Sequence, residues 1–187
     1  TLIFGGRFHY YTGISIEASV LPVKIASLFF PEQLIITNAS GALSPQIQPG
    51  DIVIIKNQIN FCKKIKTNKF RLKKIYQTSY IREISTQMNQ MNIPHHLGIY
   101  GGLSGPAYET VSEGSFYYSM GADILGMSTV AEAEQASIYN IPTIGLSLAT
   151  NKIPIKKEEI IPVNHEEVLE TAKMNLPKIL DLLTNLG

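Results

Sequence analysis

A chain of 187 residues, 44% hydrophobic and 17% charged, can bury one sizeable core, so a single domain over residues 1–187 is expected. A formal net charge of +1 gives no electrostatic reason to expect a nucleic-acid partner, and neither an apolar run of about 18 residues nor a charged-then-apolar leader points to a membrane or to export. The single cysteine, Cys62, argues against a disulfide framework or a sulfur-based metal site and fits a reducing cytoplasm.

In chain order, Thr1-Leu2-Ile3-Phe4 already reads as a β-strand, with no methionine or polar leader before it, which predicts a chain cut within its domain. Residues 16–30 carry apolar side chains at helical spacing, and residues 34–37 and 51–55 read as strands. Residues 60–78 have the least regular pattern. The lysines and arginine at 63, 64, 66, 69, 71, 73 and 74 read as a solvated loop, since no RNA-binding motif accompanies them. A helix over 80–91 and a strand over 96–100 follow. The His95-His96 doublet before that strand lacks a carboxylate or cysteine partner nearby in sequence, which argues against a metal site. Helices are predicted over 112–120, 130–139 and 165–183, strands over 122–126 and 143–148, and a loop over 152–162. Asn164 suits the N-cap of the last helix, Glu166 and Glu167 suit its dipole, and Pro177 predicts a kink or interruption. This alternation predicts an α/β fold with a mixed, largely parallel central sheet flanked by helices.

Two strand ends stand out, because ligands of α/β sheets bind there. The first is Gly121-Ala-Asp-Ile-Leu-Gly-Met-Ser-Thr-Val-Ala-Glu-Ala-Glu134 and the second is Ile144-Gly-Leu-Ser-Leu-Ala-Thr-Asn151. In the first, Ser128 and Thr129 open a helix. That serine either caps the helix, with Glu132 assisting, or meets an anion at the helix N-terminus. Arg7, between Gly5-Gly6 and an aromatic run, offers a planar fork for phosphate oxygens and is otherwise a surface ion-pair partner.

Five segments point one way: Gly6-Arg-Phe-His-Tyr-Tyr-Thr-Gly13, Thr37-Asn-Ala-Ser-Gly-Ala-Leu43, Pro49-Gly-Asp51, Gly105-Pro-Ala-Tyr-Glu-Thr110, and Gly126-Met-Ser-Thr-Val130 with Thr150-Asn151. Together they resemble the trimeric purine nucleoside phosphorylases, in order from about Gly5 to the final helix. The resemblance implies reversible phosphorolysis of a purine nucleoside to free base and sugar 1-phosphate in purine salvage, with inorganic phosphate as co-substrate, no metal or organic cofactor, and a cytoplasmic homotrimer. It would place Arg7, His9, Ser128 and the Ala39 backbone N–H on phosphate, with Met127 and Tyr11 along the sugar. His165 would approach the 5′-hydroxyl, Tyr108 would pack on the base, and Glu109 and Asn151 would hydrogen-bond its edge. Glu109, Asn151 and His9 would then be the catalytic groups.

Breaking an N-glycosidic bond builds positive charge on the sugar and negative charge on the leaving base, as glycoside cleavage does. A carboxylate and an amide at the base edge suit that charge, and an amide at 151, able to donate to a 6-oxo group, predicts inosine and guanosine over adenosine. Thr12 stands where the family usually has an acidic residue, and Phe70 is the stand-in for an aromatic that many members lend to the neighbouring subunit. The family's leading Gly-rich phosphate loop is missing from this stretch, so the expectation includes an impaired enzyme, or as alternative a paralogue that binds purine base without turnover. A dinucleotide enzyme is disfavoured because no G-x-G-x-x-G run follows an early strand.

Overall fold

Among the described residues, runs rich in Ile, Val and Leu, bounded by Gly, Pro, Asn and Asp, form five strands: β1 (Leu34–Ala42), β2 (Ile52–Asn60), β3 (His95–Gly102), β4 (Ile124–Gly126) and β5 (Thr143–Lys152). Six helices accompany them there: α1 (Ile16–Ser19), α2 (Leu21–Ser27), α3 (Thr78–Gln90), α4 (Val111–Ser119), α5 (Val130–Ile138) and α6 (His165–Asn185). A 3-10 turn covers Tyr10–Thr12. These come from a computed structural model that describes residues 1–62, 74–156 and 165–185. The predicted basic loop, apart from Lys74, therefore lies outside the described residues, as do Phe70, the Asn164 cap and the 157–162 part of the predicted loop.

The sheet is mixed, as expected, but it is a small closed barrel rather than an open layer. The strands close in the order β1-β4-β3-β2-β5 into a small barrel. β1 runs parallel to β5, and β3 runs parallel to β2 and β4, while β1 with β4 and β2 with β5 are antiparallel. β5 shows why: residues 143–150 are all buried, and it pairs with β1 on one side and β2 on the other. The main core gathers Ile36, Ile52, Val53, Ile54, Ile55, Tyr100, Ile124, Ile144 and Leu146. α6 packs on β5, α3 on β2, and α2 against α5.

The expected first strand is absent. Residues 1–4 carry no regular structure, and Ile3 is 82% exposed. Strand propensity is realised only against a partner edge, and residues 1–4 lie on none. The expected helix over 16–30 divides into α1, capped by the Ser15 hydroxyl, and α2, with Pro22 in its first turn. Pro177 does not interrupt α6, which runs through it. Ile179 and Leu182 beyond the proline are buried and keep the helix docked. His96 has a carboxylate partner from far along the chain, since its Nε2 lies 2.9 Å from Asp51 Oδ2. A carboxylate 45 positions away is invisible to local sequence. Among the described residues no group of three metal-ligating side chains forms, and no helix is long and apolar enough to cross a membrane.

Candidate active site

Arg7 lines a pocket and is held on three sides. Its Nη2 donates to the Thr37 carbonyl of β1 at 2.7 Å, Nη1 to Ser128 Oγ at 3.3 Å, and Nε to Glu132 Oε1 of α5 at 3.3 Å. A guanidinium has five N–H donors, so one hydrogen on each Nη remains free of these contacts. Ser128, Met127, Glu132 and Tyr10 line the same pocket.

The β4–α5 junction presents Ser128 there. Thr129, at φ 72° and ψ −52°, is the centre of a γ-turn closed by the Val130 N–H on the Ser128 carbonyl at 2.7 Å. Positive φ is strained for a β-branched residue, and such strain persists only where the surroundings over-determine it. Thr129 is fully buried, and its hydroxyl receives the Asn38 amide of β1 at 2.9 Å. Thr129, not Ser128, is the N-cap of α5, and it caps without a side-chain bond. The capping role considered for Ser128 is thus replaced by a hydroxyl that faces Arg7 and Thr129.

His9 and Tyr11 flank this end. Their rings stack with centroids 4.9 Å apart. Burial, and then the Arg7 charge, push His9 below the usual histidine range, so the ring is held neutral at neutral pH. Gly105, at φ +68°, lets Met127 and Tyr11 close in: a Cβ there would overlap Met127 Sδ and stand 3.1 Å from Tyr11 Cδ1. Thr12, which replaces the expected acidic residue, closes the 3-10 turn by donating to the His9 carbonyl at 2.7 Å.

The other end rests on two local devices. A capping box starts α4: Thr110 Oγ1 accepts from the Glu113 N–H, and Glu113 Oε2 accepts from the Thr110 N–H at 2.8 Å. Glu109 immediately precedes it. Burial, and to a lesser degree the Glu113 charge, push Glu109 above the usual carboxylate range. The second device is a register shift in β1–β5, where Ser40 pairs with Ala149 but Gly41 with Asn151, leaving Thr150 as the extra residue. Such a bulge re-aims the side chain after it. Asn151 Nδ2 donates to the Lys152 carbonyl at 3.3 Å, and its Oδ1 lies 3.2 Å from the Thr150 hydroxyl.

The sequence pattern of the Phosphorylase superfamily matches residues 12–186. The mouse purine nucleoside phosphorylase is 34% identical over 183 residues, covering 90% of this chain and 63% of the mouse protein. Purine nucleoside phosphorylase 1 of Bacillus subtilis is 33% identical over 178 residues, covering 90% of this chain and 65% of that protein. The chain belongs to the phosphorylase superfamily, among the purine nucleoside phosphorylases. It spans 63–65% of the length of these two relatives. Its fold matches that of the Schistosoma mansoni purine nucleoside phosphorylase in complex with inosine, with a TM-score of 0.88 and 29% identity over 95% of this chain and 68% of that one. The Schistosoma enzyme in complex with hypoxanthine gives a TM-score of 0.87 at 29% identity, covering 95% and 69%.

Of the residues that the family resemblance singled out, Arg7, Ser128 and Met127 meet at one pocket, and His9, Tyr11 and Gly105 sit beside it. Tyr108 is 41% exposed and Glu109 half-buried on the turn before α4, with Asn151 at the end of β5. Ala39 lies exposed in the middle of β1. His165 is the first residue of α6, and its side chain lies outside the described residues. Sequence reasoning missed Glu132 as the partner of Arg7, and it missed Asn38, Thr129 and Tyr100 behind Ser128. A signal for Asn38 existed, since a polar residue in a buried strand needs a hydrogen-bond partner elsewhere.

Proposed function

We propose that this protein catalyses the reversible phosphorolysis of purine nucleosides, inosine and guanosine with their deoxy forms, to free base and (deoxy)ribose 1-phosphate. The observation that carries the reading is the Arg7 guanidinium, tied to Thr37, Ser128 and Glu132 with two N–H groups left over beside a serine hydroxyl. That is a preset donor array for a tetrahedral oxyanion. The similarity to purine nucleoside phosphorylases, and the inosine and hypoxanthine complexes of the Schistosoma protein, supply the substrate class.

In this reading phosphate is the nucleophile. Held by Arg7, Ser128, His9 and the Ala39 N–H, it attacks the anomeric carbon as the glycosidic bond breaks and its charge offsets that of the oxocarbenium-like sugar. Met127 and Tyr11 pack on the sugar, and His165 stands by its 5′-hydroxyl. The electrons of the broken bond pass to the purine. Tyr108 packs on that base, ionised Glu109 accepts from its ring N–H, and the Asn151 amide hydrogen-bonds the imidazole side and the 6-oxo group. No protein nucleophile is needed. A homotrimer in the cytoplasm, serving purine salvage, goes with this assignment.

The test follows inosine loss and hypoxanthine release with and without phosphate, adenosine competing, and Asn151→Asp alongside. Phosphate-dependent cleavage of inosine, turned toward adenosine by Asn151→Asp, is the expected result. Phosphate-independent cleavage, or hypoxanthine binding without turnover, would overturn it.

A further inference from the structure

Three hydroxyls meet beneath the β4–α5 junction. Ser128 Oγ lies 3.1 Å from Thr129 Oγ1, and the Ser128 N–H donates to Tyr100 Oη at 3.4 Å. The Tyr100 ring is 0% exposed, and its oxygen sits so close under the loop that a Cβ at Gly126 would overlap it.

Hydrogens can be counted here. Each of the three oxygens already receives one N–H: Arg7 Nη1 on Ser128, Asn38 Nδ2 on Thr129, and the Ser128 backbone on Tyr100. Asn38 is committed to that role, because the Ser147 hydroxyl, 2.6 Å from its Oδ1, has no choice but to donate to a carbonyl oxygen. Among the described residues the Thr129 hydroxyl has one further partner, Ser128 Oγ. Thr129 is closed off, at 1% exposure, and its oxygen is engaged by Asn38, so its hydrogen goes to Ser128 Oγ. Accepting from both Arg7 Nη1 and Thr129, Ser128 Oγ has its two lone pairs filled, and its own hydrogen turns to the pocket whose wall this half-buried residue forms.

We infer that Thr129 and Asn38, together with Tyr100, are positioning residues of the anion site: Thr129, engaged by Asn38, donates to Ser128 Oγ beside the Arg7 N–H and so turns the serine O–H outward as a donor to phosphate, while Tyr100 holds the Ser128 backbone N–H. The inference rests on the phosphorolysis reading. A serine oxygen with both lone pairs filled favours a ligand that only accepts, which an inorganic oxyanion does best.

The test titrates inorganic phosphate into the wild-type chain, Tyr100→Phe, Ser128→Ala and the double variant by calorimetry, with hypoxanthine as control. Loss of one hydrogen-bonded group predicts phosphate binding about threefold to tenfold weaker in Tyr100→Phe. No further loss is expected in the Ser128→Ala background, and hypoxanthine affinity should stay unchanged. Thr129→Val should behave as Tyr100→Phe does, with rescue by Thr129→Ser, so the inference does not hang on one variant folding. Wild-type phosphate affinity in Tyr100→Phe, or the same loss with and without Ser128, would overturn it. Failure of the wild-type chain to bind phosphate would instead sink the phosphorolysis reading, and this inference with it.

Discussion

Arg7 is fastened to residues 30, 121 and 125 positions away, whereas Asn151 bonds its own neighbours Thr150 and Lys152, and the turn that carries Glu109 is set by a box between Thr110 and Glu113. The proposed anion end therefore comes into being only when β1, the β4–α5 junction and the chain around Arg7 have assembled. The side chains of the proposed base end are held by short-range bonds on a finished barrel. Function should accordingly be coupled to stability at the first end and separable from it at the second.

The harshest way to break that contrast is Arg7→Ala. It removes the charged donor and strands Glu132, whose Oε2 is already buried without a hydrogen-bond partner among the described residues. Phosphate affinity should fall by about 10- to 100-fold. Unfolding free energy should drop by about 1–3 kcal/mol, the cost of leaving the partly buried Glu132 carboxylate without its hydrogen-bond partner. Calorimetry and urea unfolding together check both, and a phosphate defect at unchanged stability would refute the coupling.

Gly126→Ala comes next. The added Cβ would overlap the Tyr100 hydroxyl, and the overpacking should cost about 1–3 kcal/mol. Tyr100→Phe in the same chain should return part of that. A thermal melt of the two variants and their combination decides it.

At the base end, Asn151→Asp should change the preference between inosine and adenosine about tenfold while stability moves by less than about 0.5 kcal/mol. A large loss of stability would mean that the bulge at Thr150 depends on this side chain.

A smaller effect is expected from pH. In the proposed reading Glu109 accepts from the base only when ionised, and burial pushes its carboxyl above the usual carboxylate range. Hypoxanthine affinity should thus fall on the acid side earlier than an ordinary carboxylate would predict, and Glu109→Gln should flatten that limb. The folded chain binds this proton more tightly than the unfolded chain. The group's contribution to stability is therefore present at low pH and fades as pH rises through the window, the reverse of a salt-bridged carboxylate. The smallest signal should be His9, depressed by burial and Arg7, whose nuclear magnetic resonance titration should move upward when phosphate arrives.

Much of this molecule was legible before any coordinates. The apolar runs inside β2, β3 and β5 and the helical spacing of α3, α4 and α5 mark themselves, because burial on a strand or a helix face imposes a period on the chain. Residues 1–4 show the limit: their propensity is that of a strand, but a strand needs an edge. The same limit applied at Ser128. The local sequence left capping and anion binding both open, and an arginine 121 positions away settled where its hydroxyl faces.

By itself the sequence determined the order of elements, the family, and the residue types at each motif, because periodicity and motif chemistry are written along the chain. Closure of the barrel, the aim of Asn151 after its bulge, the grip of Glu132 on Arg7 and the seat of Tyr100 beneath Ser128 belong to the tertiary structure alone. Each of these is a meeting of groups far apart in sequence. What decides them is which hydrogen bonds a closed core leaves unmet, and a linear pattern does not encode that.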